Sequence, residues 1–402
     1  MCNVFTNIKG IVCFVTFIAC LVFCNVLAAP NLSVAYAKQP SDIENEYNNV
    51  LESTLDDIDS GVLDDYLSGD ITSNLFDVLS FKEIVKLILD GELFSEYNSL
   101  STLILQKVKS YFLSSLKIIA MLLAIIVLYK LFESFCANKY VDVKKIVKTI
   151  FILIIVYTLT VLLKDLIDDV KTSVLGAFSF CEILFPILLS LVLASGASVS
   201  FASYNSLSVI LLQTFSYVFV YVLIPLAAAI MVFSLVSFIS SKDTLSNVAD
   251  LLKSLFKYVI VIMVAVFGIC SSVAVVSAGM KDGISLKFTK YAIKNYVPVL
   301  GGYISEGFDF VKSSSIIIKN AFGLGGVVIL FFNILSPVIV YISYVLVFKI
   351  LSIIVSFLDE DKFSKIFNGV AKSISYFITV LVGLFLILTV FIYMVIISVS
   401  VV

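Results

Sequence analysis

Residues 206–240 read SLSVILLQTFSYVFVYVLIPLAAAIMVFSLVSFIS, without one charged side chain. A second run, 324–358, has the same character and a single lysine, Lys349. As a straight helix each would be about 50 Å long, against a hydrocarbon layer of about 30 Å. Each also carries a proline near its middle, Pro225 and Pro337. A tilted or broken single span and a tight helical hairpin both fit; the charge distribution along the chain favours the single span. The rest of the composition agrees with these runs. Of 402 residues, 60% are hydrophobic and 14% charged, with a mean hydropathy of +1.11. Such a chain is an all-α polytopic membrane protein whose first partner is the lipid bilayer.

What the chain lacks narrows its chemistry. It contains no histidine, tryptophan or arginine, and all 27 basic residues are lysine. A Ser-His-Asp triad, a His-ligated metal and an arginine clamp on phosphate are therefore out of reach. Of the seven cysteines, Cys2, Cys13, Cys20 and Cys24 fall in the first segment, and Cys136, Cys181 and Cys270 are isolated in or beside apolar runs. That pattern is no disulfide framework or metal cluster. No catalytic residue, metal or cofactor is expected, and no nucleic-acid partner.

The chain opens as a secretion signal. Lys9 precedes an apolar run over 10–29, and Ala35-Tyr36-Ala37 supplies a small-x-small cleavage pattern, so residues 1–37 read as a cleaved signal. Residues 38–109 then form an acidic extracytoplasmic region, with fifteen carboxylates against three lysines between 38 and 100. Phe81, Ile84, Val85, Leu87 and Ile88 recur at helical spacing, predicting an amphipathic helix that ends before Gly91.

Residues 110–402 form the multispan domain. Seven spans are expected, at 111–132, 146–163, 174–194, 206–240, 258–279, 324–358 and 373–399. Lys139, Lys144, Lys145 and Lys148 put the loop after the first span in the cytoplasm. Residues 164–173, with three aspartates and two lysines, form an outside loop, and the loop that begins at Lys281 lies inside.

Proline spacing suggests an internal duplication. Pro186 and Pro225 are 39 residues apart, as are Pro298 and Pro337. The segment VADLLKSLFKYVIV at 248–261 also resembles FNGVAKSISYFITV at 367–380. The repeats would cover 174–280 and 290–402, in the manner of many secondary transporters. In that case residues 290–311 enter the membrane as a re-entrant or crossing segment.

Two features are candidates for function. Glu182 sits inside an apolar span, where a carboxylate should face the bundle or water. It reads either as a proton or cation relay or as a structural hydrogen bond near the outer interface. The stretch 280–326 interleaves six lysines, three carboxylates and seven glycines between two spans. Asp282-Gly283 ends a span and turns the chain, while Pro298, Gly301 and Gly302 permit a tight bend. Lys319-Asn320 precedes Gly323, Gly325 and Gly326, which allow close helix packing. Interfacial packing is the favoured reading of this stretch over ligand binding, since no phosphate-loop pattern is present.

Those residues carry a family resemblance. Asp282-Gly283, Lys290-Tyr291, Pro298-Val299-Leu300-Gly301-Gly302 and Lys319-Asn320 followed by Gly323 and Gly326 resemble the signature of the stage III sporulation protein AE family of endospore-forming bacteria. Leu184-Phe185-Pro186, Ser195-Gly196 and Ile224-Pro225 resemble its upstream pieces, and the likeness runs along the whole chain. The chain departs from the family at Ser203-Tyr204 and at Phe357-Leu358-Asp359-Glu360-Asp361, where a proline, and in the second case also a basic residue, would be usual. The resemblance implies a non-enzymatic membrane component of a channel-like or secretion-like complex between mother cell and forespore. Its partners would be other stage III sporulation membrane proteins and a forespore-side protein, with self-association left open. It would sit in the mother-cell membrane around the forespore, its acidic region outside the cytoplasm. The competing reading is a permease of a small solute that uses Glu182 and the proline-broken helices. A membrane enzyme ranks last.

Overall fold

The computed structural model describes residues 81–89, 97–135, 141–239, 243–296, 301–358 and 360–397, with the backbone alone for 97–108 and most of 271–311. All of them fall in one compact unit, Asp59–Val402. The signal over 1–37, the acidic residues up to 80 and Pro298 lie outside the described residues.

Every described element is helical. In order they are α1 (Phe81–Leu89), α2 (Tyr97–Phe135), α3 (Val141–Ala194), α4 (Ser198–Val218), a π turn (Phe219–Leu223), α5 (Ile224–Ile239), α6 (Asp243–Tyr296), α7 (Gly301–Phe357) and α8 (Asp361–Ile397). Six stretches among the described residues are long and apolar enough to cross a membrane: those in α2, α3, α4–α5, α6, α7 and α8.

The expected count of seven is corrected because the second and third spans are one helix. Lys164, Asp165, Asp168, Asp169 and Lys171 do not form an outside loop; they lie inside the 54-residue helix α3. The physical reason is local. No glycine or proline interrupts residues 164–173, and charge alone does not break a helix whose backbone bonds continue. A second correction follows at Lys281-Asp282-Gly283, which was expected to end a span and turn the chain. These residues are interior to α6, which runs on to Tyr296.

Both long apolar runs are single helical passages and not hairpins. In the first, Ile224 N–H donates to the carbonyl of Phe219, five residues back, just before Pro225. Proline lacks a donor and its ring crowds the carbonyl four residues earlier, so a widened turn accommodates it without breaking the helix. Pro186 and Pro337 sit inside α3 and α7.

Aromatic contacts set the helix directions. Phe348 with Phe367, Tyr341 with Phe377 and Phe331 with Phe385 pair at 6.3, 6.2 and 5.8 Å in opposite chain order, so α7 and α8 are antiparallel. Phe256 with Tyr376 and Phe267 with Phe391, at 5.2 and 5.9 Å, make α6 parallel to α8. The Tyr341 hydroxyl donates to the Leu166 carbonyl, and Gly326 abuts Leu184, so α3 is antiparallel to α7. The six spans alternate in direction. One end of the bundle gathers the C-termini of α2, α5 and α7 with the N-termini of α3, α6 and α8. The α6–α7 connection falls at the other end, opposite the α2–α3 connection; both were expected on one side.

Burial is uneven. In α4–α5, α7 and α8 the most apolar stretches are 50%, 50% and 56% buried, against 17% in α3 and 17% in α6. The first three therefore make the core, while α3 and α6 have outward faces. In lipid, such a core is held by close packing and by interhelical polar contacts more than by removal of apolar surface from water.

At the first end an ion cluster joins the α2–α3 pair to the α7–α8 pair. Glu360, 3% exposed, accepts from Lys130 and Lys148 at 2.8 Å each. Glu133 accepts from Lys130 at 3.1 Å and from Lys144 at 2.9 Å. The Lys148 ammonium also lies 5.7 Å from the Tyr129 ring centre and 5.9 Å from that of Phe363. Removing one partner from a buried pair of this kind costs about 3–5 kcal/mol.

The continuity of α3 is measurable. Tyr157 and Leu175 are exposed positions eighteen residues and about five turns apart on one helix face. Spin labels at these two positions should give one narrow distance distribution near ~27 Å. Two spans joined by a loop at 164–173 would instead bring the labels to about 10 Å, the spacing of packed helices.

Candidate functional site

Of the residues singled out in the sequence, Ser195, Gly196, Asp282, Lys319, Gly323 and Gly326 lie towards the second end of the bundle. The first part of the site is the stop at the end of α3. Gly196 has φ +84°, a left-handed conformation that glycine adopts without a side-chain clash. Ala197 N–H donates to Val192 O at 3.3 Å and Gly196 N–H to Leu193 O at 2.9 Å. These are the two bonds of a Schellman motif, with Gly196 at its left-handed position. The buried Ser195 hydroxyl donates to Val192 O at 2.6 Å, so the helix end is satisfied from its own chain.

The next helix starts with a deficit. The residue at the N-cap of α4, Ala197, offers no side-chain acceptor. Asp282, 1% exposed and 83 residues away from Val199, fills that role. Its Oδ1 accepts from Val199 N–H at 2.9 Å and its Oδ2 from Ser200 N–H at 2.7 Å. These are the donors that an N-cap side chain normally serves, and the carboxylate also meets the positive end of the helix dipole. Asp282 thus locks the middle of α6 to the start of α4.

Lys319 does the converse on α7. It is fully buried, and its ammonium donates to Ile396 O at 2.7 Å, in the last turn of α8. The last four carbonyls of a helix have no internal donor and carry its negative partial charge, so a cation there satisfies both needs. One turn on, Gly323 leaves no room for a Cβ, because Ile396 already occupies that space. Gly326 is closed in the same way by Leu184 of α3. Gly325 faces Val85, Ile88 and Phe81 of α1, and the Phe81 and Phe322 rings are 5.2 Å apart. The amphipathic helix α1 therefore docks on the glycine-rich face of α7, its Phe81, Ile84 and Val85 buried. Asn320 turns its amide oxygen into the interior, where it has no hydrogen-bond partner among the described residues.

Other predicted residues stand apart. Glu182 does not face the bundle. It lies on the exposed outer face of α3, one residue past buried Cys181. Its neighbours Leu184 and Phe185 take the inward positions, and helical periodicity turns Glu182 away. Pro186 shares that outer face, whereas Pro225 and Pro337 shape the backbone of their own helices. Gly283 is interior to α6, and Gly301 and Gly302 open α7. Sequence reasoning missed Glu360, Lys130 and Glu133. The available signal was the acidic step Asp359-Glu360-Asp361 between two apolar runs, at the end where lysines accumulate.

These features define an all-helical polytopic membrane protein in which charged residues from distant segments close helix ends. Among the described residues no three metal-ligating side chains converge. Residues 79–400 match the sequence profile of the stage III sporulation protein AE family, and the chain belongs to that family. It is similar to the stage III sporulation protein AE of Bacillus subtilis (strain 168), 29% identical over 198 residues, which are 49% of this chain and 50% of the relative. That match spans about half the relative's length. No solved structure matches the chain.

Two substitutions test this geometry. Asp282→Ala removes the acceptor for two buried N–H groups and should lower unfolding free energy in detergent by about 2–4 kcal/mol. Asp282→Asn should retain part of that stability. Gly326→Val forces α7 away from Leu184 and should cost about 1–3 kcal/mol by overpacking. Midpoints of denaturant titration in mixed micelles measure both, and wild-type midpoints for either variant would contradict the contacts described.

Proposed function

We propose that this protein is the polytopic platform of a trans-envelope complex that joins mother cell and forespore, contributing packing surfaces and no catalysis. Its family gives it a role in stage III of sporulation; the conduit, the membrane and the partners are the proposed part. The observation that carries the reading is the use made of the signature residues. Asp282, Lys319, Gly323 and Gly326 are all spent on fastening helices together. A rigid hub for other membrane proteins needs such joints.

Lysine distribution supports an orientation. Lys144, Lys145 and Lys148 lie at the end that holds Glu360, and although Lys281, Lys287, Lys290 and Lys294 lie towards the other, we read the Glu360 end as facing the mother-cell cytoplasm. The capped end, the α6–α7 connection and the acidic residues before α2 then face the space between the two membranes. There the acidic region would meet the forespore-side partner. The permease reading is not favoured, because Glu182 lies outside the bundle and lines no path through it.

The test combines genetics with labelling. Deletion should abolish spore formation, Glu182→Gln should sporulate at the wild-type level, and tagged protein should co-purify with other sporulation membrane proteins. A cysteine placed at Lys294 should react with an impermeant maleimide in intact cells, and one at Lys365 only after permeabilisation. A deletion strain that sporulates normally would refute the proposal, and reversed labelling would refute the orientation.

A further inference from the structure

Helix α3 carries a charged band on its outward face. Lys164, Asp165, Asp168, Asp169 and Lys171 are all exposed, while Leu163, Leu166, Val170 and Val174 between them are buried in the bundle. Exposed apolar residues flank the band on both sides, Tyr157 and Val161 before it and Leu175 after it. Among the described residues none of the five charged side chains forms an ion pair. Wherever such a band meets hydrocarbon, its unpartnered charges cost free energy.

The depth of the band is set by its neighbours. Leu166 accepts from the Tyr341 hydroxyl, the Tyr341 ring lies 6.2 Å from Phe377, and Tyr376 meets Phe256 of α6 at 5.2 Å. Leu166, Tyr341, Phe377 and Phe256 thus share one layer of the bundle. In that layer α6 exposes Lys257, which is next to Phe256. One turn earlier Lys253 is bonded to Asp250 at 2.8 Å, so Lys257 is left without a carboxylate of its own. Exposed Lys372 lies one turn before Tyr376, whose ring meets Phe256, so it adds positive charge beside the same stretch of α6. The α3 band has an excess of aspartate and the α6 face an excess of lysine, at equal depth on the two least buried spans.

We infer that the α3 face of one copy docks against the α6 face of a second copy, in a head-to-tail contact in the membrane plane that pairs Asp168 and its neighbours with Lys257. The contact uses two different patches, so it is heterologous and propagates into a ring or a row. Both helices run in the same direction, which keeps the two charged layers level in every copy. The pairing removes the unpartnered charge from lipid on both surfaces and leaves the apolar flanks to pack around it.

The experiment uses the full chain in native membranes, with its own cysteines replaced. Thr172→Cys and Val261→Cys, exposed positions one turn along from Asp168 and Lys257 that leave both charges in place, are introduced singly and together, and a short bismaleimide is added. The pair should give a ladder of dimer, trimer and higher species, and each single variant should stay monomeric. In a second arm without added cysteines, Asp168→Lys or Lys257→Asp should each lower the oligomer fraction about tenfold or more, as facing like charges do. The two changes combined should restore it. A dimer from Thr172→Cys alone would mean a symmetric α3 contact and would overturn the inference. So would the absence of any ladder from the pair, or charge reversals that leave the oligomer unchanged.

Discussion

The bundle depends on the carboxylate of Asp282 at the first turn of α4. A helix that starts without a capping side chain leaves N–H groups unsatisfied, and here Ala197 and Ser200 are buried away from water. The two hydrogen bonds from Val199 and Ser200 to Asp282 solve this for α4 and tie it to a residue 83 positions along the chain from Val199. Lys319 at the Ile396 carbonyl is its counterpart of opposite sign at the end of α8. Glu360, between Lys130 and Lys148, holds the other end of the bundle.

Each of these charges is buried and each is committed to a specific partner, so they act as registers as well as bonds. An apolar helix surface allows sliding and rotation at small cost, whereas a buried charge without its partner is heavily penalised. The glycines of α7 work with Lys319. They let Ile396 and Leu184 come close enough that the ammonium reaches the last turn of α8. The outcome is a frame whose helices are tied to one another at both ends.

Much of the architecture was legible beforehand. The helical class and the amphipathic helix from Phe81 follow from apolar length and period, which depend only on neighbours in the chain, whereas for both long runs only the charge distribution favoured a single passage over a hairpin. The importance of Ser195-Gly196, Asp282, Lys319 and Gly323 was legible as a signature, without its meaning. Helix termination was the weak point. Lys164 to Lys171 looked like a loop because charge was taken as a boundary, yet nothing there breaks the backbone ladder. Gly283 looked like a turn, yet the helix passes through it. Glu182 was expected to face the bundle or water, and its angular position on α3 turns it away from the bundle.

By itself the sequence determined that this chain enters a membrane as long helices, because hydrocarbon accepts no unsatisfied backbone and these segments are too apolar for water. It also singled out the segments that resemble the family's signature. Only the tertiary structure decided what the signature does. Capping, charge pairing and close glycine contact each require two segments far apart in sequence to meet, and no local pattern encodes which distant helix end a given aspartate or lysine will close.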